Sequence, residues 1–240
     1  IPLNISYEQS VNKNNRIDNN MYSNDEFLFL NKYIKENDLI LDYGCGGGFL
    51  LNKFSTKGFN IEGIDIDKES INYIKKNYNY KVTLGDYKDL KKKYNLIILF
   101  GVFEHIDEPK LFLKKIMSHL KLSGHIFIAI PNPHSLNAII SNLSKHKWDM
   151  LLEPGHLNIF TKQGMIKLIE KDYDLVKYST STITIRGKVP VLPHRITSIE
   201  KLIVTIITKY KFLKTIYILI LKLIDFFNLG DISYYLIKKK

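Results

Sequence analysis

The feature that most constrains this chain is a short apolar strand that runs straight into a glycine-rich turn. Leu39, Ile40 and Leu41 form the strand, and the sequence then reads Asp-Tyr-Gly-Cys-Gly-Gly-Gly over 42–48. Glycine lets the backbone turn tightly and lets a ligand approach without a Cβ in the way. A helix predicted from Phe49 to Ser55 would present its unpaired N–H groups to a carboxylate or phosphate. The turn therefore predicts a ligand site between a strand and a helix.

Strands and helices alternate along the chain after this turn. The strands are predicted at 60–66, 80–84, 95–100 and 125–130, and the helices at 68–77 and 108–120. Such alternation requires a parallel sheet covered by helices on both faces. Because crossovers between parallel strands are right-handed, we expect an α/β, doubly wound fold with ligands at the carboxyl ends of the strands.

The two ends of the chain do not follow the alternation of strands and helices seen in the middle. Residues 1–22 are polar and are expected to form a flexible arm or lid, followed by a helix over 23–36 with Ser23 and Glu26 at capping-box spacing. Beyond Pro133 we predict helices over 135–145 and 161–171 and strands over 173–185 and 232–237. Residues 187–229 contain a linker and a strongly apolar stretch, 196–228. We predict a single domain over 23–240 in which 187–229 is an apolar helical insertion.

Polar groups follow the other predicted strands, as Asp42 follows the first. Asp65 ends the second strand about 20 residues after the glycines, where an acid accepts hydrogen bonds from ribose hydroxyls. Gly85-Asp86-Tyr87 follows the third strand, and Gly101 through Ile106 follows the fourth. The pattern Asp-x-Gly-x-Gly-x-Gly differs from the dinucleotide fingerprint Gly-x-Gly-x-x-Gly, which would need glycine where Phe49 stands.

At these positions the sequence resembles the class I S-adenosylmethionine-dependent methyltransferases, in the branch that includes ubiquinone-type O-methyltransferases. Five segments carry the resemblance in order: 40–48, 63–66, 85–86, 103–106 and 120–133. The resemblance implies a Rossmann-like, mostly parallel, seven-stranded sheet whose last strand, over 230–238, runs antiparallel beside the sixth. It also implies S-adenosylmethionine as the cofactor, with Gly44 and Gly46 near its methionine moiety, Asp65 at the ribose and Asp86 at the adenine amino group. The complete set of expected cofactor-binding residues is Asp42, Gly44, Cys45, Gly46, Gly48, Asp65, Ile66, Asp86, Tyr87 and Gly101.

Methyl transfer to a hydroxyl needs alignment of the two reactants and removal of a proton. Glu104 and His105 lie after the fourth strand, where the acceptor should approach, and His156 lies in a loop that can fold over the same edge. These three residues are the catalytic candidates, with a histidine as the expected base and Glu104 as its competitor. The donor chemistry requires no metal and none is predicted, with a role of Glu104 or His105 as a metal ligand as the less favoured alternative to the base.

The sequence leaves the acceptor open among a small metabolite, a glycan and a lipid-like molecule. A second interpretation is a non-catalytic partner or scaffold protein that keeps the cofactor fold, and a third is a nicotinamide-dependent oxidoreductase, which Phe49 disfavours. A specific nucleic-acid substrate is not expected. The amino-methyltransferase motif is missing after the fourth strand, and the single cysteine, Cys45, lies in the glycine turn rather than at a nucleophile position.

Charge and composition indicate which binding partners and which cellular compartment to expect. The formal net charge is +11, but only three of the 35 basic residues are arginine, the residue that phosphate and base recognition favour. With one cysteine no intrachain disulfide can form, and residues 1–20 lack a signal-peptide pattern. We expect a cytoplasmic protein, in which the apolar stretch 196–228 is buried in the domain, forms a homodimer, or contacts a membrane surface peripherally.

Overall fold

Seven strands form one sheet in the computed structural model, which describes residues 25–145, 147–151, 155–182 and 210–240. The strands are β1 Leu39–Tyr43, β2 Asn60–Asp65, β3 Val82–Leu84, β4 Tyr94–Phe100, β5 Leu120–Pro131, β6 Tyr173–Ser181 and β7 Ile232–Lys239. Their order is β3-β2-β1-β4-β5-β7-β6. The pairs among β1 to β5 are parallel, whereas β7 is antiparallel to both β5 and β6. The predicted sheet, including its antiparallel last strand, is confirmed.

Helices cover the sheet on both faces, as the alternating pattern predicted. They are α1 Asp25–Leu30, α2 Phe49–Ser55, α3 Lys68–Asn77, α4 Pro109–Met117, α5 Leu136–Leu143, α6 Lys162–Ile169 and α7 Lys211–Phe226. Helices α1, α2 and α3 contribute to one buried apolar cluster, and α4 and α6 contribute to the other. The central strands β1, β4 and β5 are apolar on both faces because both faces are buried.

Several helices begin where a side chain satisfies their first N–H groups. The Asp67 carboxylate accepts from the N–H groups of Glu69 and Ser70 at the start of α3 and so caps this helix. The Ser135 hydroxyl caps α5 in the same way, and the Thr161 hydroxyl caps α6. These caps explain why three boundaries predicted from the sequence lie within a residue of the observed ones.

The first helix is shorter than predicted. Helix α1 ends at Leu30 rather than near residue 36, and Ser23 lies outside the described residues. The Glu26 side chain, which is buried, does not act as a capping partner within the described part of the chain. It accepts hydrogen bonds from Lys53 Nζ at 2.5 Å and from the Tyr234 hydroxyl at 3.0 Å. Glu26 therefore fixes α1 to α2 and β7.

The predicted insertion before the last strand contains a helix. Helix α7 occupies 211–226 and leads into β7, while 187–209 lie outside the described residues. The arm or lid predicted over 1–22 also lies outside them, so the domain boundaries stay a prediction. Among the described helices, none is long and apolar enough to cross a membrane.

The parallel strands all end at one edge of the sheet, which we call the carboxyl rim. It is formed by the ends of β1 to β5 at Tyr43, Asp65, Leu84, Phe100 and Pro131. Because β7 is antiparallel, its first residue pairs with Pro131 and with the last residue of β6. The segment between α7 and β7 therefore also lies at this rim, where parallel α/β folds bind ligands.

Candidate active site

The glycine turn is fastened to the neighbouring strand by backbone hydrogen bonds. The N–H groups of Gly44 and Cys45 both donate to the carbonyl oxygen of Ile64, at 2.8 and 3.2 Å. Gly44, Gly46 and Gly48 have φ values of 78°, 46° and 82°. These left-handed conformations favour glycine, which is why the turn needs three of them. The last, Gly48, is the residue before α2.

The glycines differ in what surrounds them. A Cβ at Gly44 would lie 2.4 Å from Val102 Cγ2, whereas a Cβ at Gly46 would meet no atom within 4 Å. At Gly44 the glycine therefore makes room for a side chain of the β4 loop. At Gly46 the space is open, so this is the point of the turn that a ligand can approach most closely.

Asp65 joins the glycine turn to the end of β2. Its Oδ2 accepts from the N–H of Gly46 at 2.8 Å, and its Oδ1 accepts from the N–H of Asp67 at 2.8 Å. An ionised carboxylate has about four acceptor positions, so each oxygen keeps capacity for one more donor. Asp65 both shapes the turn and offers acceptors beside the open space at Gly46.

Asp42 lies directly behind this turn and is buried. Burial, together with the nearby negative charge of Asp65, raises the pKa of Asp42 to about 7. Two carboxylates close together at the rim make it favourable for a cationic group to bind there.

Cys45 packs inward rather than toward the rim. Its side chain is buried, and its Sγ would lie 2.8 Å from a Cβ at Gly63. Burial raises the pKa of the thiol, so it stays protonated and unreactive at neutral pH. The expected role of Cys45 in cofactor binding can therefore involve its backbone alone.

Two exposed apolar side chains and one acid occupy the rim beyond β2 and β3. Ile66, which follows β2, is 78% exposed, and Leu84, which ends the edge strand β3, is 45% exposed. Asp86 caps the short turn over 87–89, with its Oδ1 accepting from the N–H of Lys88 at 2.7 Å. Tyr87 packs edge-on against Phe112. Apolar side chains beside an acid suit a flat, amine-bearing ring.

The three catalytic candidates come together at the end of β4. Glu104 is 3% exposed, its Oε1 lies 3.9 Å from His156 Nε2, and its Oε2 has no hydrogen-bond partner among the described residues. The rings of His105 and His156 have centroids 4.8 Å apart. Burial raises the pKa of Glu104 to about 7. An acid of that pKa can gain or lose a proton near neutrality.

The hydrogen bonds of both histidines define where their lone pairs lie. His105 Nδ1 is 2.8 Å from the carbonyl oxygen of Gly155, and His156 Nδ1 is 2.7 Å from that of Met150. A carbonyl oxygen only accepts, so Nδ1 carries the hydrogen in both rings. Each neutral ring therefore keeps its lone pair on Nε2, the form needed to accept a proton.

A residue that the sequence did not single out holds this cluster together. Asn158 donates from its N–H to the carbonyl oxygen of Glu104 at 3.0 Å and from Nδ2 to the carbonyl oxygen of Ile106. The N–H of Leu157 also donates to Glu104. These bonds fasten the loop that carries His156 to the turn that carries His105. The only sequence signal was an amide side chain two residues after a loop histidine.

The same cluster has the composition of a metal site. One ligand atom each from Glu104, His105 and His156 lies within 4.8 Å of the others. Two imidazoles and a carboxylate are ligands that zinc and other transition metals accept. The geometry is thus compatible with a proton-transfer site and with a metal-binding site.

A cavity beside β2 and β3 contains none of the predicted site residues. Its volume is about 470 Å³, and it is lined by residues of β2, β3 and the following loop, among them Glu62, Thr83 and Lys91. It marks a part of the sheet where the connection from β3 to β4 is too short to hold a long covering helix.

Comparison with known proteins identifies the chain's family. Residues 16–177, more than half of the chain, match the family described as methyltransferase domain. The chain belongs to this family. The resemblance noted in the sequence is thereby confirmed at the level of the family.

Similar curated proteins include O-methyltransferases of ubiquinone biosynthesis. The methyltransferase is 28% identical over 155 residues to the one from Pelagibacter ubique, which covers 57% of the chain and 65% of that protein. It is 33% identical over 100 residues to the one from Rickettsia typhi, covering 39% of the chain and 41% of that protein. The chain matches less than two thirds of the length of these two relatives.

Similar solved structures are methyltransferases as well. One is a SAM-dependent methyltransferase from Archaeoglobus fulgidus, with a TM-score of 0.60, 20% identity and 98% of both chains covered. Another is the plantazolicin methyltransferase BpumL in complex with SAH, with a TM-score of 0.59, 19% identity, and 98% and 88% of the two chains covered. At these identities the likeness establishes the fold.

In this methyltransferase the rim brings most of the predicted residues together in two groups. One group surrounds the glycine turn: Asp42, Gly44, Gly46, Gly48, Asp65 and Ile66. The other surrounds the end of β4: Gly101, Glu104, His105 and His156. The two groups approach each other at Gly44, where a Cβ would lie 2.4 Å from Val102 Cγ2 in the loop that follows β4. Asp86 and Tyr87 lie at the β3 end of the rim.

Proposed function

We propose that the chain binds S-adenosylmethionine at the carboxyl rim and transfers its methyl group to a hydroxyl of a small or lipid-like acceptor. The observation that carries this proposal is the open space at Gly46 with the Asp65 carboxylate bonded beside it. Membership of the methyltransferase family supports it.

The residues at the rim fit the chemical groups of this cofactor. Asp65 has acceptor capacity for the two ribose hydroxyls, and Ile66 and Leu84 offer exposed apolar surface to the adenine ring. Asp86 can accept from the adenine amino group. A cationic group of the cofactor bound beside Asp42 would favour the ionised form of this carboxyl, whose pKa burial raises to about 7. When bound, the sulfonium supplies an electrophilic methyl group.

The cluster at the end of β4 serves the acceptor. His105 is the exposed member, so an acceptor that enters from solvent meets its ring first. Its Nδ1 is held by the Gly155 carbonyl, which orients Nε2 to take the proton of a hydroxyl. His156 and Glu104 lie behind it and stabilise the positive charge that His105 gains. A positioned base of this kind contributes about 10²–10⁴ in rate.

Two observations support the proposed class of acceptor: the names of the relatives and the exposed apolar surface of the chain. The relatives from Pelagibacter ubique and Rickettsia typhi are named ubiquinone biosynthesis O-methyltransferases, which supports a hydroxyl acceptor. Leu157, which is exposed beside Glu104 at the end of β4, would suit a lipid-like acceptor.

Isothermal titration with S-adenosylmethionine, S-adenosylhomocysteine and NAD tests cofactor binding. Wild-type protein should bind the first two and not NAD. Gly46→Val should lose binding because its side chain fills the open space. Gly58→Val is the matched control, since Gly58 also has positive φ and open surroundings but lies at the opposite end of β2. No binding by wild-type protein would favour the non-catalytic interpretation, and binding of NAD alone would favour an oxidoreductase.

A second measurement tests the catalytic cluster, with acceptors screened against labelled donor. His105→Gln should lower turnover about 100-fold or more while donor affinity is unchanged. If chelation with EDTA abolishes turnover of the wild type and added zinc restores it, the cluster acts as a metal site instead. Wild-type turnover in both His105→Gln and His156→Gln would exclude a histidine base.

A further inference from the structure

Helix α7 exposes an apolar stripe on the side that faces away from the sheet. The stripe consists of Phe212, Ile216, Leu219, Leu223 and Phe226, which are 38–77% exposed. Their spacing of four, three, four and three residues places them along one side of the helix. A surface helix normally keeps its apolar side toward the core and its polar side toward water. The stripe therefore needs a partner other than the core described here.

The opposite side of α7 is already packed on the protein. The helix contacts β6, and the residues on that side are partly buried: Leu213, Tyr217, Leu221 and Ile224. At the end of the helix, Asp225 Oδ1 accepts from the Thr182 hydroxyl at 2.7 Å. Helix α7 is thus fixed in orientation, so the stripe cannot be buried by a simple rotation of the helix.

The last turn of α7 lies beside the carboxyl rim. Asn132, which follows β5, donates from Nδ2 to the carbonyl oxygens of Asn228 and Gly230. The N–H of Leu136 donates to the carbonyl oxygen of Leu229. The apolar stripe therefore ends, at Phe226, on the same edge of the sheet as the candidate active site.

Lysines run along one border of the stripe. Lys211, Lys214 and Lys222 are spaced to lie in one row on the helix, and Lys222 is exposed. An apolar stripe bordered by lysines is the pattern of helices that lie in the interface of an anionic bilayer. The overall charge of +11 adds attraction to such a surface.

We propose that the apolar stripe of α7 docks the protein onto an anionic phospholipid bilayer. The helix has 16 residues, a length of about 24 Å, and would lie flat with its apolar side in the headgroup boundary. A second copy of the chain fits less well. Packed antiparallel about a two-fold axis, two stripes would bring two lysine rows of like charge together, and packed parallel, neither row would meet an acidic residue of the partner helix. A bilayer offers phosphates to the lysines and acyl chains to the stripe.

Docking in this way would bring the rim close to the bilayer surface. A lipid-like acceptor could then reach His105 without leaving the membrane for bulk water. The docking itself requires neither cofactor nor acceptor. A test of membrane binding is therefore independent of whether the protein transfers a methyl group.

Flotation with vesicles tests the proposal on the full chain. Wild-type protein should float with vesicles of phosphatidylcholine and phosphatidylglycerol, and float less with phosphatidylcholine alone or at high salt. Leu219→Glu and Leu223→Glu should each reduce the partition coefficient about tenfold. Leu122→Glu is the matched control, because it makes the same charge change at a fully exposed leucine near the start of β5, far from the rim.

Three results would overturn the proposal. Wild-type protein could remain at the bottom with anionic vesicles, or Leu219→Glu could float as well as wild type. Light scattering could show a dimer that Leu219→Glu dissociates, which would assign the stripe to a second copy. A melting temperature that falls in Leu219→Glu and not in Leu122→Glu would mean that the stripe is covered within the chain itself.

Discussion

Replacing Gly44 by alanine should destabilise the protein through a contact with one identified side chain. Gly44 has a φ of 78°, and a Cβ there would lie 2.4 Å from Val102 Cγ2. Real Cβ atoms do not come this close to a carbon, so the β1 turn or the β4 loop must move. The β1 turn belongs to the cofactor side of the site and the β4 loop to the acceptor side. A displacement of either segment therefore affects both sides of the site.

The expected cost has two parts. An alanine in the left-handed conformation costs about 1 kcal/mol relative to glycine. The overlap with Val102 adds about 1–3 kcal/mol, the usual cost of forcing a methyl group into a packed region. The double variant Gly44→Ala/Val102→Ala removes the overlap but keeps the backbone strain. The two changes should therefore be coupled by about 1–3 kcal/mol.

Urea denaturation of the four proteins of this double-mutant cycle measures the coupling. Gly58→Ala is the control for strain alone, because Gly58 has a φ of 85° and a Cβ there would meet no atom within 4 Å. It should cost about 1 kcal/mol and show no coupling with Val102→Ala. If the effects of Gly44→Ala and Val102→Ala simply add, the close approach of the two segments is wrong.

Two more predictions follow from buried carboxylates. Lys53→Met should destabilise the protein by about 3 kcal/mol, because it leaves Glu26 buried without its cation, and adding Glu26→Gln should restore part of that loss in urea denaturation. Burial raises the pKa of Glu104 from 4.5 to about 7, so the folded state holds a proton that the unfolded state releases. The contribution of protonated Glu104 to the free energy of unfolding is therefore fully present below pH 4.5 and is lost as the pH rises through about 7. Glu104→Gln should therefore be more stable than wild type by about 3 kcal/mol at pH 8 and equal to it near pH 4, and a pH-independent difference would refute the assignment.

The cofactor side of the site could be predicted because its signals are local. The turn from Leu41 to Phe49 is nine residues of continuous sequence, and its glycines, strand and helix all appear within that segment. The hydrogen bond from Gly46 to Asp65 spans only 19 residues. Asp65 was expected at the ribose, but its second role, holding the turn, was visible only once the two strands were paired.

Other elements were mispredicted where tertiary contacts override local pattern. The strand predicted over 125–130 begins at Leu120, because Leu120 pairs with Tyr94 of β4. The helix predicted over 23–36 stops at Leu30, although residues 27–34 continue its apolar spacing. From its spacing to Ser23, Glu26 was predicted to be a capping residue. Its actual partners, Lys53 and Tyr234, are distant in sequence, so local spacing does not reveal these contacts.

The acceptor side of the site depends on contacts that are distant in sequence. His105 and Gly155 are 50 residues apart, and Asn158 and Ile106 are 52 apart, yet hydrogen bonds join both pairs. Such loops can change in length and composition without disturbing the glycine turn, because the sheet, and not the loops, holds the core together. Two methyltransferases can therefore share the cofactor half and differ in what they methylate. For this chain, we expect the loop over 155–158, rather than the motifs that identify the family, to determine the acceptor.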